Sequence, residues 1–351
     1  MNRASPAPIA LLPGVPALKA SGVDLKEENG IQGMRGFSAS LVVMYHIAIA
    51  LPAVVPLAIL YSGYSGVEFF FLISGYILAR KFEAGDYSVR RRFSKLKYYF
   101  RRVFRIWPLY FLTIPIYAMT MGMPIIWQDF LFLQNYLQST FMLYPYWTLV
   151  IEELFYLILP LWVASFRRNW RASLVSAAGF TFAYAAYLAL VLHAQEPSMY
   201  QYAQFPVFAL TYALGTVAAY RKTVRLHWAV VVLAWLAASF ALPAASSNIN
   251  GFAWQTPAIF SIIYFLVLSN LKGSWFFTNR VSVYLGSLTY PIYLVSVPVE
   301  VVLVQTFYQW NIVWVPLTII CTLCAAYLLH RFVELPLIAA GRRLEAKYLR
   351  A

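Results

Sequence analysis

The sequence predicts an all-α polytopic membrane protein, a bundle of about ten transmembrane helices, and three observations carry that expectation. Of the 351 residues, 62% are hydrophobic and only 11% are charged, well outside the usual balance of a soluble domain. Apolar runs of about 20 residues, the length that crosses a bilayer core as a helix, recur from Gly36 to Leu329. Short breaks separate the runs, and every second break is basic.

The first run, 36–56, follows Arg35 and holds His46, and the second, 66–80, carries Glu68 and stops at Arg80 and Lys81. The third, 106–122, rises from Arg101, Arg102 and Arg105. The fourth, 147–165, contains Glu152 and Glu153 and is cut from the fifth, 172–192, by Arg167-Arg168-Asn169-Trp170-Arg171. The sixth, 203–220, ends at the basic stretch Arg221 to Arg225. The seventh and eighth, 228–244 and 252–270, enclose a polar break. Lys272 to Arg280 leads into the ninth, 281–304, and the tenth is 312–330. A shorter apolar piece, 125–139, is interrupted by Gln128, Asp129, Gln134 and Asn135, so it is expected to lie at an interface or to re-enter.

Orientation follows from the lysines and arginines, because basic loops stay on the cytoplasmic side. Ten basic residues lie from Arg80 to Arg105 against Glu83 and Asp86, whereas 193–202, 245–251 and 308–311 contain no lysine or arginine. Ten spans then leave both termini cytoplasmic. The formal charge of +14 reads as topology and contact with membrane lipids rather than as a nucleic-acid surface. Residues 1–30, with prolines at 6, 8, 13 and 16, read as a flexible cytoplasmic tail without a cleaved signal peptide. Residues 31–337 form the transmembrane domain, and 338–351 a basic cytoplasmic tail. Cys321 and Cys324 both fall in the last span and read as reduced packing residues rather than a redox pair. The histidines at 46, 193, 227 and 330 lack metal-ligand spacing, so no metal site is expected.

Ionisable residues inside a span are costly unless they face a cavity or a partner, which makes His46, Glu68 and the Glu152-Glu153 pair functional candidates. His46 stands eleven residues beyond Arg35, about 16 Å along a helix, at or past the bilayer midplane. Hydrogen bonding to a neighbouring helix is the plainer reading of that histidine. With a carboxylate to orient it, however, the imidazole is equipped to take a proton from a nucleophile. Adjacent glutamates point about 100° apart, so only one of Glu152 and Glu153 can face such a site, and Glu153 is favoured. On the cytoplasmic side Arg35, Arg102 and Arg105 suit a phosphorylated ligand, although positive-inside anchoring also accounts for each singly.

These residues fall into a known order. "IQGMRGFSASLVVMYH", with Arg35-Gly36 and His46, resembles the arginine-glycine, ten-residue spacer, histidine signature of the acyltransferase family 3 membrane proteins, which acylate bacterial polysaccharides and related glycans. "GVEFFFLISGYIL", "RRVFRIWPLYFL", "WTLVIEELFYLILP", "YLGSLTYPIYLVSVPV" and "RFVELPL" agree in order, so the resemblance covers 31 to about 337. Met34 stands where the family usually has an aliphatic residue, so it is not read as a start and 1–30 is extra tail.

The resemblance implies an enzyme of the bacterial inner membrane with acyl-CoA, most often acetyl-CoA, as co-substrate and no permanently bound cofactor. The acceptor it implies is a carbohydrate or glycolipid hydroxyl. His46 would be the catalytic imidazole, deprotonating that hydroxyl or carrying the acyl group transiently. Arg35, Arg102 and Arg105 would bind the donor, and Glu153, with Glu68, would orient or balance the site. Ser74 of "SGY" would supply a polar wall near the thioester, or else only a small residue at a tight helix contact. Trp147, Tyr156, Tyr290 and Tyr293 are candidates for lining the acceptor side. Two departures stand out: Glu68 replaces the common aspartate, and Ser296 replaces a frequent histidine. The alternatives weighed are a proton-coupled secondary transporter using His46 and Glu68 or Glu153, and a non-catalytic scaffold.

Overall fold

A computed structural model describes residues 25–50, 60, 62–88, 92–137, 145–191, 199–221, 226–245, 256–271, 273–306 and 314–348. Residues 1–24, His193, and the breaks at 193–198, 246–251 and 308–311 lie outside that set. Among the described residues the chain is helical, without strands. The helices are α1 (Leu25–Ala50), α2 (Gly66–Glu83), α3 (Arg92–Met121), α4 (Tyr146–Ala186), α5 (Phe205–Tyr220), α6 (Trp228–Ala245), α7 (Thr256–Leu271), α8 (Arg280–Ser287), α9 (Thr289–Thr306), α10 (Trp314–Leu329) and α11 (Leu335–Tyr348).

Among the described residues, four helical segments are long and apolar enough to cross a membrane: Glu27–Ala50, Ser94–Met121, Tyr146–Leu190 and Trp314–Tyr348. The pair Arg280–Ser287 and Thr289–Leu303, bent by 73°, makes a fifth if counted as one span. Length and composition thus support four or five spans rather than establishing ten. One of the four is double. At 45 residues Tyr146–Leu190 would extend about 67 Å as a straight helix, roughly twice a bilayer core. Asn169 breaks it, with φ −153° and ψ 90°, and Ser165 Oγ lies 2.6 Å from Ser173 Oγ although the two are eight residues apart. The chain therefore doubles back at the basic break, where Asn169 Oδ1 caps the second arm by accepting from Ala172 N at 3.1 Å.

Glycines set the closest approaches. A Cβ on Gly286 would lie 2.0 Å from Gln32 O, and one on Gly36 would lie 2.8 Å from Gly286 N, so only paired glycines let α8 reach α1. Gly75 and Gly215 do the same for α2 and α5, where added Cβ atoms would sit 2.6 Å from Tyr212 O and 2.0 Å from Leu72 O. Around these contacts the interior fills with aromatic side chains, among them fully buried Tyr98, Tyr110, Tyr146 and Tyr212.

The segment 125–137 folds into the protein. Asn135 Nδ2 donates to Trp147 O (2.8 Å) and Ala203 O (2.9 Å), Gln134 Nε2 donates to Tyr110 OH (3.1 Å), and Tyr110 OH donates to Asp129 O (2.6 Å). Irregular backbone at membrane depth is tolerable when protein satisfies its polar groups in this way. At the other end, the basic C-terminal stretch is helical as far as Tyr348. α11 docks on α3, with Gly341 against Phe104 and with Glu345 accepting from Arg101 Nε (2.6 Å) and Nη2 (2.8 Å).

Candidate active site

α2 organises the interior cavity. Val67, Phe70, Phe71, Ser74, Ile77, Leu78 and Lys81 recur at one-, three- and four-residue steps, so they share one helical face, and that face lines a partly open cavity. α3 contributes Arg102, Arg105 and Ile106, and α4 contributes Thr148, Leu149, Glu152 and Tyr156. Arg35 of α1 and Thr289, Tyr290 and Tyr293 of α9 complete the wall. From Val67 to Lys81 the α2 face extends about 21 Å, so the cavity is long rather than round.

The register of α1 against α2 orders its charges. A Cβ on Gly66 would lie 2.5 Å from Ser38 O, and lower down Tyr76 OH donates to Glu27 Oε1. These antiparallel contacts place Arg35 near the turn of Phe69 and Phe70, whereas Lys81 lies eleven residues further along α2, about 16 Å away. Arg105 is within electrostatic reach of both Arg35 and Lys81, and the Arg102 guanidinium lies 5.4 Å from the centroid of the Tyr156 ring. The four cations form a column with Lys81 at one end and Arg35 at the other.

This column lacks matching carboxylates. Glu152 is the single acidic group on the wall, and among the described residues none of the four cations has a carboxylate within 4.0 Å. Among the described residues Arg35 Nη1 donates to Gln32 Oε1, at 3.1 Å. Arg102 is 8% exposed, and its Nε has no hydrogen-bond partner among the described residues. Cations facing away from the cavity are treated differently: Arg101 and Lys97 pair with Glu345, and Arg167 pairs with Glu83 at 2.7 Å. A buried cation without a counter-charge is strongly disfavoured, so the column suits an anionic ligand.

Polar groups interrupt the column midway. Ser74 Oγ donates to Glu152 Oε1 at 3.2 Å, and Tyr156 OH donates to the same oxygen. Ser74 is thus a polar wall, and the tight helix contact falls on its neighbour Gly75. Higher up, Tyr293 OH and Thr148 Oγ1 lie 2.6 Å apart, and Tyr290 OH donates to Ile106 O at 2.7 Å, fastening α9 to α4 and α3.

Of the residues singled out from sequence, Arg35, Ser74, Arg102, Arg105, Tyr156, Tyr290 and Tyr293 meet on this wall. Four others do not. Glu153, the favoured glutamate, lies one residue off the cavity face, towards Trp107, with Oε1 buried and unpartnered; Glu152 takes the facing position. Glu68 is fully buried on the α2 face that packs against α5, where Oε1 accepts from Tyr202 OH at 2.7 Å and Oε2 has no partner among the described residues. Trp147 packs against the rings of Tyr202 and Phe208, and its successor Thr148 lines the cavity.

His46 is half-buried and shares the Arg35 face of α1, three turns further along, beyond the lined space. Its ring makes no hydrogen bond among the described residues and contacts the edge of Tyr45, with centroids 5.3 Å apart. Ser296 is buried on α9, off the wall. Lys81, Thr148 and Thr289 were not singled out from sequence. The signal was present for Lys81, because Val67, Ser74 and Lys81 are spaced by sevens on one helix.

A family model described as an acyltransferase domain matches residues 28–331. The chain is also similar to the "Putative acetyltransferase ORF330" of Acidianus two-tailed virus, with 22% identity over 294 residues that cover 79% of this chain and 84% of that protein. No solved structure matches.

Proposed function

The chain belongs to acyltransferase family 3 and is an acyltransferase, and from that premise we propose an integral-membrane O-acyltransferase that moves an acyl group, acetyl foremost, from acyl-CoA to a carbohydrate hydroxyl. The observation that carries the donor assignment is the column of unpaired cations on a long wall of apolar and hydroxyl-bearing side chains. Such a cavity suits a ligand with phosphates at one end and a thin, mostly uncharged arm at the other. The phosphates lie by Arg102 and Arg105, and the arm passes Ser74 towards Phe70 and Arg35. Membership of an acyltransferase family decides against the transporter alternative.

His46 is the general base in this reading. Support for this comes from its place on the Arg35 face, about 16 Å outward along α1, and from a ring without a hydrogen bond among the described residues, which leaves it free to take a proton from a hydroxyl entering from the far side. The acceptor, an exopolysaccharide or its lipid-linked precursor, follows from the family resemblance. Ten spans with both termini in the cytoplasm of a bacterium fit the alternation of basic breaks, and the reversal at Asn169 supplies two spans where one long helix would count as one.

The test gives membranes carrying the full chain acetyl-CoA labelled in its acetyl group and counts alkali-labile label in extracted polysaccharide. Wild type transfers label. His46→Ala, still present in the membrane and still binding acetyl-CoA, transfers at least ~100-fold less. Transfer retained by that variant removes His46 as base, and an unlabelled polysaccharide with wild type removes the carbohydrate acceptor.

A further inference from the structure

We infer that Lys81 is a donor-binding residue whose ammonium group holds a phosphate of the donor at the end of the cavity away from Arg35. The inference rests on the acyl-CoA reading above and assigns to it a cation that topology alone would dismiss as an anchor. Lys81 closes the α2 face that runs through Ser74, while its neighbour Arg80 lies off the wall. Its side chain is half-buried, and among the described residues no carboxylate comes within 4.0 Å of it.

The surroundings make that position unfavourable in the free protein. Arg102, Arg105 and Arg101 act on Lys81 with like charge, and Asp86 and Glu28 act on it with opposite charge from a distance. Like charges gathered in a partly buried space repel strongly, and a multiply charged anion relieves that repulsion. Arg102 Nε, buried without a partner, offers the same ligand a donor. The chemistry is that of a phosphate ester, and the length of the cavity favours a donor's nucleotide end over a lipid headgroup. An ammonium on a flexible stem suits the end of such a cavity, where a fixed fork is not required.

The experiment titrates acetyl-CoA into the detergent-purified full chain, comparing wild type with Lys81→Gln and Lys81→Arg at low and high salt, and measures co-purified anionic lipid in each. All three proteins are checked for a single symmetric elution peak. The expected result is about tenfold weaker binding for Lys81→Gln at low salt, a smaller difference at high salt, and Lys81→Arg within about threefold of wild type. Unchanged affinity in Lys81→Gln overturns the inference. So does an equal, salt-independent loss in both variants, which is the mark of packing. Loss of bound anionic lipid without a change in acetyl-CoA affinity reassigns Lys81 to a headgroup. If wild type itself binds no acetyl-CoA at either salt, the acyl-CoA reading falls first and this inference with it.

Discussion

Ser74 Oγ donates to Glu152 Oε1 across 3.2 Å, joining α2 to α4 inside the cavity, and Tyr156 OH reaches the same oxygen from one turn further along α4. One carboxylate thus fixes two hydroxyls beside the Arg102 guanidinium. Glu152→Ala releases both, and because hydrogen bonds to a charged group are worth roughly 1.5–3 kcal/mol, acyl transfer is expected to fall at least ~10-fold. Glu153→Ala, off the wall, is expected to change transfer by less than about threefold while altering thermal stability. Parallel assays of the two variants distinguish the glutamates, and equal losses would undo the assignment of Glu152.

Gly36 is half of a backbone contact. A methyl at Gly36 meets Gly286 N at 2.8 Å and Ser282 O at 2.9 Å, and one at Gly286 meets Gln32 O at 2.0 Å. Neither obstacle is a flexible side-chain tip, so α8 must move. Gly36→Ala or Gly286→Ala should cost about 1–3 kcal/mol, read as a lower unfolding temperature in detergent. Because the next residue is Arg35, donor affinity should fall as well. An unshifted melting curve for Gly286→Ala would contradict the close approach.

Arg101 and Arg102 are adjacent but have different work. Arg101 holds α11 through Glu345, with a side chain 39% exposed, and partly exposed pairs contribute little, about 0–1 kcal/mol. Arg101→Ala should therefore lower stability slightly and leave acetyl-CoA affinity within about twofold. A large loss of affinity in that variant would move the donor site towards the surface.

The helices were largely legible, and the facing of individual side chains was less so. Apolar runs and basic breaks overlap α1 to α4 and locate the reversal at 166–171, because bilayer thickness and loop charge act directly on composition, but α1 and α3 begin 11 and 14 residues before their apolar runs, since helix continues through polar and basic residues. Facing depends on neighbours. Glu68 reads as functional because a carboxylate in an apolar run is costly, yet Leu72 and Gly75 on its side of α2 pack against α5, where Tyr202 satisfies one oxygen. Glu152 and Glu153 are both compatible with Tyr156 at helical spacing, and Thr148, four residues before Glu152, is the discriminating position. Lys81 is hidden among ten basic residues whose shared explanation is topology. The level of Arg35 depends on the Ser38–Gly66 and Glu27–Tyr76 contacts, which no local pattern encodes.

The central claim is that the column of unpaired cations binds the acyl donor. It is tested most directly by titrating acetyl-CoA into the detergent-purified full chain and into the Arg102→Ala, Arg105→Ala double variant, with free acetate as control. Wild type should bind saturably, acetate should not compete, and the double variant should bind at least ~100-fold more weakly for the loss of two charge-assisted contacts. Equal affinity in the two proteins, or no saturable binding by wild type, would contradict the account.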